Sequence, residues 1–179
     1  WEWYDWRREL IATKSPNVAH HALVELESRY TRFWLITQNV DGLHMAAGSK
    51  NLIELHGNIW KVRCTGCGRV STNRDVPLTL LPYCGECSGL LRPHIVWFGE
   101  MVPEMETAAM KTMKADIFIV IGTSLDVYPA AGLLNYASEE CEKYLVDPKA
   151  KDLYHITNLT TIPRKAGEAV PSLVKKLLK

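Results

Sequence analysis

Apolar residues along the chain follow two patterns, helical spacing and short dense runs. Helical spacing predicts helices over residues 1–11, 16–29, 43–47, 103–114, 130–138 and 167–179. Short, largely apolar runs predict buried parallel strands over residues 33–37, 51–55, 117–121 and 143–146. Ser15 and Pro16 suit the N-cap and the first position of the second helix. Because strands and helices alternate, we expect an α/β fold with an open, Rossmann-type, mostly parallel sheet.

Residues 61–93 interrupt this alternation. They concentrate Gly, Pro and polar residues, show little helical periodicity and contain four of the five cysteines. We therefore expect one α/β domain formed by residues 1–60 and 94–179, with a small zinc-ribbon module of residues 61–93 inserted into it.

The four cysteines of this insert form two pairs, Cys64 with Cys67 and Cys84 with Cys87, separated by sixteen residues. Each Cys-x-x-Cys turn directs two thiolates to one point, and two such turns complete a closed tetrahedral Zn²⁺ site. Two disulfides or free thiols are the alternative interpretation. Cys141 is interpreted as a core or surface thiol. Zinc ribbons are also common binding modules, so this site alone does not indicate an enzyme.

Composition and charge narrow the class of protein. The chain has 179 residues, is 47% hydrophobic and 23% charged, and has a formal net charge of +1. This balance is typical of an ordinary globular protein and predicts neither nucleic-acid nor membrane binding. No apolar run approaches the roughly 20 residues of a membrane helix. Since no signal peptide is visible and the paired cysteines suit a reducing compartment, we expect a cytoplasmic protein.

Five short runs carry a resemblance to a known family, and they occur in the family's order. They are T-Q-N-V-D-G-L-H at 37–44, L-H-G at 55–57, R-P-H-I-V-W-F-G-E at 92–100, I-G-T-S-L-D-V-Y-P-A-A at 121–131 and V-P-S-L-V-K-K-L-L at 170–178. With the four-cysteine insert between the second and third runs, the chain resembles the sirtuins, or Sir2 family, over nearly its whole length. The resemblance implies an NAD-dependent protein-lysine deacylase with NAD and Zn²⁺ as cofactors and acyl-lysine proteins or peptides as substrates.

Polar residues follow the first predicted strand, where open α/β sheets bind ligands. Gln38, Asn39 and Asp41 offer two amides and a carboxylate that suit ribose hydroxyls and a carboxamide. An ordinary turn is the alternative, because Asn and Asp favour turns on their own account. The resemblance implies that these residues, together with Val40, bind the cofactor.

Further cofactor contacts are expected in the second half of the chain. Gly122, Thr123 and Ser124 follow a buried strand and precede a helix, so their N–H groups and hydroxyls suit a phosphate or ribose. The resemblance implies that Asp147, where sirtuins usually have Asn, lies near the adenosine ribose and that Ala166 lies near the adenine.

His56 is the catalytic candidate. A lone histidine is often structural, but this one follows a predicted strand at the mouth of the expected cofactor crevice. Its ordinary pKa near 6.5 lets it accept a proton at neutral pH. The resemblance implies a general base that acts on a ribose hydroxyl, with free lysine, nicotinamide and O-acyl-ADP-ribose as products.

The stretch after the cysteine insert is expected to bind the substrate peptide. The resemblance implies that its backbone pairs with an extended substrate as an added strand. A buried strand that leaves the zinc module is the alternative, and the two are compatible. The residues concerned are Val96, Trp97, Phe98, Gly99 and Glu100.

Tyr4 and Arg7 share one face of the first helix because they lie three residues apart. The resemblance is to the sirtuin subgroup that has a Tyr-x-x-Arg pair here and removes succinyl, malonyl and glutaryl groups. A phenol and a guanidinium suit such a carboxylate. The alternative is a surface arginine beside a core tyrosine, and Arg8 is adjacent to Arg7 in the sequence. Several sirtuins with this pair also accept acetyl-lysine.

One feature of the family is missing. Sirtuins have a first strand that leads into a Gly-Ala-Gly loop, and this sequence contains no Gly-Ala-Gly. The resemblance then implies that the diphosphate lacks its main backbone cradle and that the sheet lacks a central strand. The chain starts at Trp1 within a helical pattern, so we expect an N-terminally incomplete domain. A catalytically inactive zinc-stapled interaction module and a protein ADP-ribosyltransferase are the alternative functions.

Overall fold

A computed structural model describes residues 1–123, 130–151 and 153–179. The helices are α1 Glu2–Ala12, α2 Val18–Arg29, α3 Leu43–Ala47, α4 Met105–Thr112, a 3₁₀ helix Ala130–Tyr136 and α5 Ala166–Leu177. The strands are β1 Leu35–Thr37, β2 Leu52–Glu54, β3 Gly57–Cys64, β4 Val70–Thr72, β5 Leu91–Ile95, β6 Ile117–Ile121, β7 Glu142–Val146 and β8 Leu159–Ile162. Within these residues, no helix has both the length and the apolarity that crossing a bilayer requires.

The strands form two parallel sheets and one antiparallel sheet. In the parallel sheets β1 pairs with β2, and β6, β7 and β8 follow one another in that order. In the antiparallel sheet β3 lies between β4 and β5. The prediction of an α/β fold with parallel sheets and a cysteine-bearing insert is confirmed.

Helices cover the parallel sheets on two faces. On one face α2 and α5 pack together over β1 and β7, and the buried centre includes Leu23, Val146 and Val170. On the other face α4 and the 3₁₀ helix pack over β2, with Ile53 and Ala108 at the centre. The apolar runs of the sequence therefore form the inner layer of a helix–sheet–helix sandwich.

An apolar cavity of about 680 Å³ lies between the two parallel sheets. β1 and β6 both line it, and among the described residues each of these strands is paired along one edge only. All five residues of β6 are apolar, as in a fully buried strand, yet each is only half-buried. The side chains of β6 are exposed toward the cavity, and a neighbouring strand or a ligand in the cavity would bury them.

The cysteine-bearing sheet reaches directly into the α/β domain. β3 begins at Gly57, immediately after His56, and β5 ends at Ile95, immediately before Val96. Gly57 pairs with Ile95 across the two strands. Residues on both sides of the insert are therefore held together by its first and last strands.

The structure corrects several of the predicted elements, among them the helix predicted over residues 130–138, which is the 3₁₀ helix Ala130–Tyr136. α2 begins at Val18, two residues later than predicted, because Asn17 rather than Ser15 is the N-cap. The Asn17 side chain accepts hydrogen bonds from the N–H groups of Ala19 and His20, at 2.9 and 3.3 Å. The sequence pattern also missed β8, whose Leu-Thr-Thr-Ile run is short and half polar and gives no clear strand signal.

Candidate active site and metal centre

The four paired cysteines converge on one point. Their Sγ atoms all lie within 4.8 Å of one another, and none forms a disulfide. The Sγ atoms of Cys64 and Cys87 are 3.4 Å apart, and those of Cys67 and Cys84 are 3.9 Å apart. These separations match the roughly 3.8 Å between sulfurs that Zn–S bonds of about 2.3 Å impose on a tetrahedron. The donor set therefore fits a closed structural Zn²⁺ site.

Local geometry prepares Cys64 as a thiolate ligand. The backbone N–H groups of Cys67 and Gly66 point at its Sγ, at 3.4 and 3.3 Å. The N–H of Cys67, then the neighbouring Cys87 thiol and the N–H of Gly66, lower the pKa of Cys64 to about 6. A Cβ atom at Gly89 would lie only 3.0 Å from this sulfur, so a side chain there would press against the Cys64 ligand.

The loop after β1 is held by contacts with β3. The N–H groups of Ile59 and of the Trp60 indole donate to the carbonyl oxygens of Val40 and Asp41, at 2.9 and 2.8 Å. The Asp41 carboxylate accepts from the N–H of Leu43 at 2.8 Å and so closes a turn at the start of α3. The turn interpretation therefore applies to Asp41, while the amide side chains of Gln38 and Asn39 form no such turn.

His56 connects this loop to the stretch after β5. Its Nδ1 lies 3.3 Å from the carbonyl oxygen of Gln38, and its own carbonyl oxygen accepts from the N–H of Val96 at 3.0 Å. Because a carbonyl group only accepts, this contact keeps the hydrogen on Nδ1 and leaves the lone pair on Nε2. Gly57 fixes the turn: its φ is +80°, and a Cβ there would lie 2.0 Å from the carbonyl oxygen of His94.

The cavity between β1 and β6 collects most of the residues predicted to bind the cofactor. It is lined, among others, by Gln38, Asn39, Gly122, Thr123 and Ala166. Its volume is within the range of ordinary ligand pockets, about 300–1,000 Å³. His56 adjoins it through Gln38. Val40, Asp41 and Asp147 are not among its lining residues, and Ser124 lies outside the described residues.

Asp147 follows β7, at the same end of the sheet as Gly122. Its carboxylate accepts a hydrogen bond from the N–H of Lys149 at 2.7 Å, and its own N–H points to the carbonyl oxygen of Ile162 at 3.3 Å. One carboxylate oxygen is thus engaged in the local turn, and the side chain is only half-buried.

The stretch from Val96 to Glu100 is an exposed turn. The alternative of a buried strand is wrong, because β5 ends at Ile95 and the Phe98 side chain is fully exposed. Glu100 holds the turn in place by accepting hydrogen bonds from Arg92 and from the N–H of Trp97. These bonds, of which the one from Arg92 has the largest effect, lower the pKa of Glu100 to about 2. This carboxylate is therefore charged at neutral pH.

Helix α1 brings the Tyr4–Arg7 pair beside this turn. The indole N–H of Trp97 donates to the Tyr4 hydroxyl oxygen at 2.7 Å. The Arg7 guanidinium lies over the rings of Trp3 and Trp6, with its Cζ 5.4 and 5.9 Å from their centroids. It forms no ion pair within the part of the chain that the structure describes. Arg7 is therefore available for a carboxylate.

Arg8 has a different role from its neighbour. It is fully buried, and its guanidinium donates to the backbone and side-chain oxygens of Asn73. Its Cζ lies 5.3 Å from the centre of the Trp60 ring. Arg8 therefore fastens α1 to the antiparallel sheet, and of the two adjacent arginines only Arg7 is free to meet a ligand.

Sequence reasoning missed several side chains that shape the site. Trp60 supports the loop after β1, Arg92 supports the turn after β5, and His20 and His44 line the cavity. Trp60 acts on a partner in another element, so the spacing around it gives no signal, whereas Arg92 bonds the carbonyl oxygen of Ile95 within β5 itself. The capping box of Asn17 and His20, three residues apart, is a local sequence signal that could have placed His20 at the start of α2.

We expect the protein to lose stability as the pH falls below about 6.5, through His20 and His44. Their ring centroids are 4.6 Å apart, and burial lowers the pKa of each, with the His20 charge a further cause at His44. Because the unfolded chain takes up these protons near pH 6.5 and the folded chain resists them, the stability is fully present above about pH 6.5. It is lost as the pH falls through the lowered folded pKa values.

Urea-unfolding free energies at pH 7.5, 6.5 and 5.5 would measure this loss. The variant His44→Gln should flatten the pH dependence, whereas His155→Gln, at an exposed position before β8, should leave it unchanged. Burial also lowers the pKa of His94, so part of the slope should remain in both variants. Equal slopes in His44→Gln and the parent would contradict the assignment.

Comparison with known proteins identifies the family to which this fold belongs. The Sir2 family model matches residues 1–129. The NAD-dependent protein deacylase of Aquifex aeolicus is 48% identical over 163 residues, which cover 89% of this chain and 68% of the relative. The NAD-dependent protein deacylase 2 of Pyrobaculum aerophilum is 41% identical, with coverage of 99% and 72%. The NAD-dependent protein deacylase 1 of Caldanaerobacter subterraneus is 55% identical, but only 56% of its length is matched.

Solved structures show the same fold. A crystal structure of a Sir2 homologue–NAD complex has a TM-score of 0.89 and 41% identity, and the match covers 99% of this chain and 71% of that one. A Sir2–p53 peptide–NAD⁺ structure has a TM-score of 0.79 and 33% identity, with coverage of 93% and 72%. The architecture is that of an α/β domain with a four-cysteine metal centre. This chain belongs to the Sir2 family.

Proposed function

We propose that this chain is an NAD-dependent protein-lysine deacylase that releases nicotinamide and O-acyl-ADP-ribose. The observation that carries the proposal is the arrangement of one histidine and one cavity. His56 is bonded to Gln38, which lines the cavity together with the glycine-containing turn after β6. Relatives named as NAD-dependent protein deacylases and a homologue solved with NAD support this use of the cavity.

NAD, when bound, supplies an electrophilic ribose carbon and the hydroxyl that receives the acyl group. Gln38 and Asn39 would hydrogen-bond the cofactor from the end of β1, and Gly122 and Thr123 would line its site at the end of β6, where the N–H of Gly122 itself donates to the carbonyl oxygen of Val146. Asp147 and Ala166 are assigned to the adenosine end, with Val40 and Asp41 shaping the loop. His56 would accept a proton from a ribose hydroxyl at Nε2, because Nδ1 is bonded to Gln38.

The substrate is proposed to lie along the turn from Val96 to Glu100. The N–H of Val96 bonds the carbonyl oxygen of His56, so a peptide added beside this turn would lie next to the base. The exposed Trp97 and Phe98 side chains offer apolar surface for the lysine stem. The homologue solved with a p53 peptide and NAD⁺ supports a peptide substrate. The zinc thiolates favour a reducing compartment, such as the cytoplasm.

Tyr4 and Arg7 are proposed to select acidic acyl groups. Arg7 has no ion-pair partner among the described residues and can offer two N–H groups to a carboxylate. The variant Arg7→Gln should therefore lower kcat/KM for a succinyl-lysine peptide by about 10- to 100-fold, the cost of a charge-assisted hydrogen bond of about 1.5–3 kcal/mol. The acetyl-lysine value should change less than about twofold. Arg29→Gln, at an exposed position of α2, is the control.

Mass spectrometry of matched acetyl- and succinyl-lysine peptides, incubated with NAD and the chain, tests the proposal. A parallel reaction uses the chain extended at its N-terminus by a Gly-Ala-Gly-containing segment. Loss of succinyl with appearance of O-succinyl-ADP-ribose is the expected result. If only the acetyl group is lost, the chain is a deacylase but the proposed preference for acidic acyl groups is rejected. A target that gains the mass of ADP-ribose would indicate a transferase, and no reaction in either version would indicate an interaction module.

A further inference from the structure

The hydrogen bond between Trp97 and Tyr4 joins two segments that are 93 residues apart in sequence. The indole N–H can only donate, so at 2.7 Å the Tyr4 oxygen must accept. A phenol has a single hydrogen, and this contact keeps that hydrogen from pointing toward Trp97. The Tyr4 O–H is thereby left to donate in another direction.

The Trp97 indole is itself held firmly. The Arg92 guanidinium lies over its ring, with Cζ 3.6 Å from the centroid. Arg92 also donates to both carboxylate oxygens of Glu100, at 2.7 and 3.1 Å. Glu100 in turn accepts from the backbone N–H of Trp97 at 2.9 Å. Both the ring and the backbone of Trp97 are fixed, although its side chain is 44% exposed.

We propose that Trp97 is a positioning residue for acyl selection, which it exerts by orienting the Tyr4 hydroxyl. This inference rests on the proposed role of Tyr4 and Arg7 in binding an acidic acyl group. The indole N–H occupies one lone pair of the phenol, so the phenol hydrogen is presented to the acyl carboxylate beside Arg7. An acetyl group has no carboxylate to receive it. A change at Trp97 should therefore weaken the binding of succinyl-lysine peptides more than that of acetyl-lysine peptides.

The variant Trp97→Phe isolates this effect. Phenylalanine keeps an aromatic ring for Arg92 and removes only the indole N–H and the second ring. Equilibrium binding of fluorescently labelled succinyl- and acetyl-lysine peptides of one sequence, measured on the zinc-loaded chain, gives the selectivity without turnover. We expect the ratio of succinyl-peptide to acetyl-peptide affinity to fall about three- to tenfold, as for one hydrogen bond, because any contact of the ring with the lysine stem is common to both peptides.

A double-mutant cycle with Tyr4→Phe tests the route of the effect. Because Trp97 acts through the phenol, Trp97→Phe should change the selectivity little in a chain that already has Tyr4→Phe. Equal losses for both peptides would overturn the inference, since Trp97 would then only contact the peptide. An intact succinyl preference in Trp97→Phe would also overturn it. If the parent chain itself binds the succinyl peptide no more tightly than the acetyl peptide, both the acyl-selection proposal for Tyr4 and Arg7 and the role of Trp97 are rejected. The affinities of the parent chain are sufficient to recognise that outcome.

Discussion

Removal of zinc should unfold the antiparallel sheet of β3, β4 and β5 and lower the free energy of unfolding by more than about 4 kcal/mol. Within residues 61–93, the buried apolar side chains other than cysteines are Val62, Leu78 and Pro93. Three such side chains cannot offset the conformational entropy of ordering some thirty residues, at about 1–2 kcal/mol each. The metal must supply the difference.

The variant Cys84→Ser tests this expectation. It should lose zinc, measured by plasma mass spectrometry, and should melt at a clearly lower temperature in circular dichroism. Cys141→Ser is the matched control, because Cys141 is also buried but lies outside the four-cysteine cluster. The control should keep one zinc per chain. A Cys84→Ser protein with full zinc content and an unchanged melting temperature would contradict the structural role of the metal.

The loss of structure on zinc removal should extend from the antiparallel sheet to the proposed active site. β3 begins directly after His56 and β5 ends directly before Val96, and the N–H of Ile59 in β3 supports the loop at Val40. Once the sheet unfolds, these segments lose their mutual positions. Binding of acyl-peptide should therefore fail together with the fold of the insert, although no cysteine is assigned to the chemistry.

Replacing His56 with tyrosine should lower the rate of deacylation by about 10²- to 10⁴-fold, the usual contribution of a general base. Tyrosine has an ordinary pKa near 10, so it is protonated at neutral pH and cannot accept the proton. The rate of acyl loss, followed by mass spectrometry in the version of the chain that turns over, is the measurement. An unchanged circular dichroism spectrum would confirm that the fold is kept.

His21→Tyr provides the control for this experiment, because His21 is exposed on α2. It should retain the parent rate within about twofold. Full deacylation by His56→Tyr would reject the assigned base while leaving the deacylase proposal itself in place.

The cavity shows how sequence and structure complement each other. The sequence predicts buried strands over residues 33–37 and 117–121, but it does not say how these two strands are arranged relative to each other. In the structure β1 and β6 keep their outer neighbours and leave an apolar cavity between them. The residues expected at the cofactor line that cavity because they follow the ends of the two flanking strands.

Features that depend on short stretches of chain were readable from the sequence. The two Cys-x-x-Cys pairs predict the metal centre because each turn alone aims both sulfurs. The apolar run at Ile117–Ile121 predicts a strand because five consecutive apolar residues suit a position buried on both faces. His56 and the loop from Gln38 were found through local runs that resemble a family. Element ends were less certain, as at α2, where Asn17 and Ser15 both suit an N-cap.

Features that depend on distant segments were decided by the tertiary structure alone. Only packing of α1 against the antiparallel sheet buries Arg8 and leaves its neighbour Arg7 available. Only the same packing brings the Tyr4 hydroxyl to the Trp97 indole. The physical reason is that spacing along a chain encodes which residues share a face of one element. It does not encode which faces of separate elements meet, because that outcome depends on the packing of the whole domain.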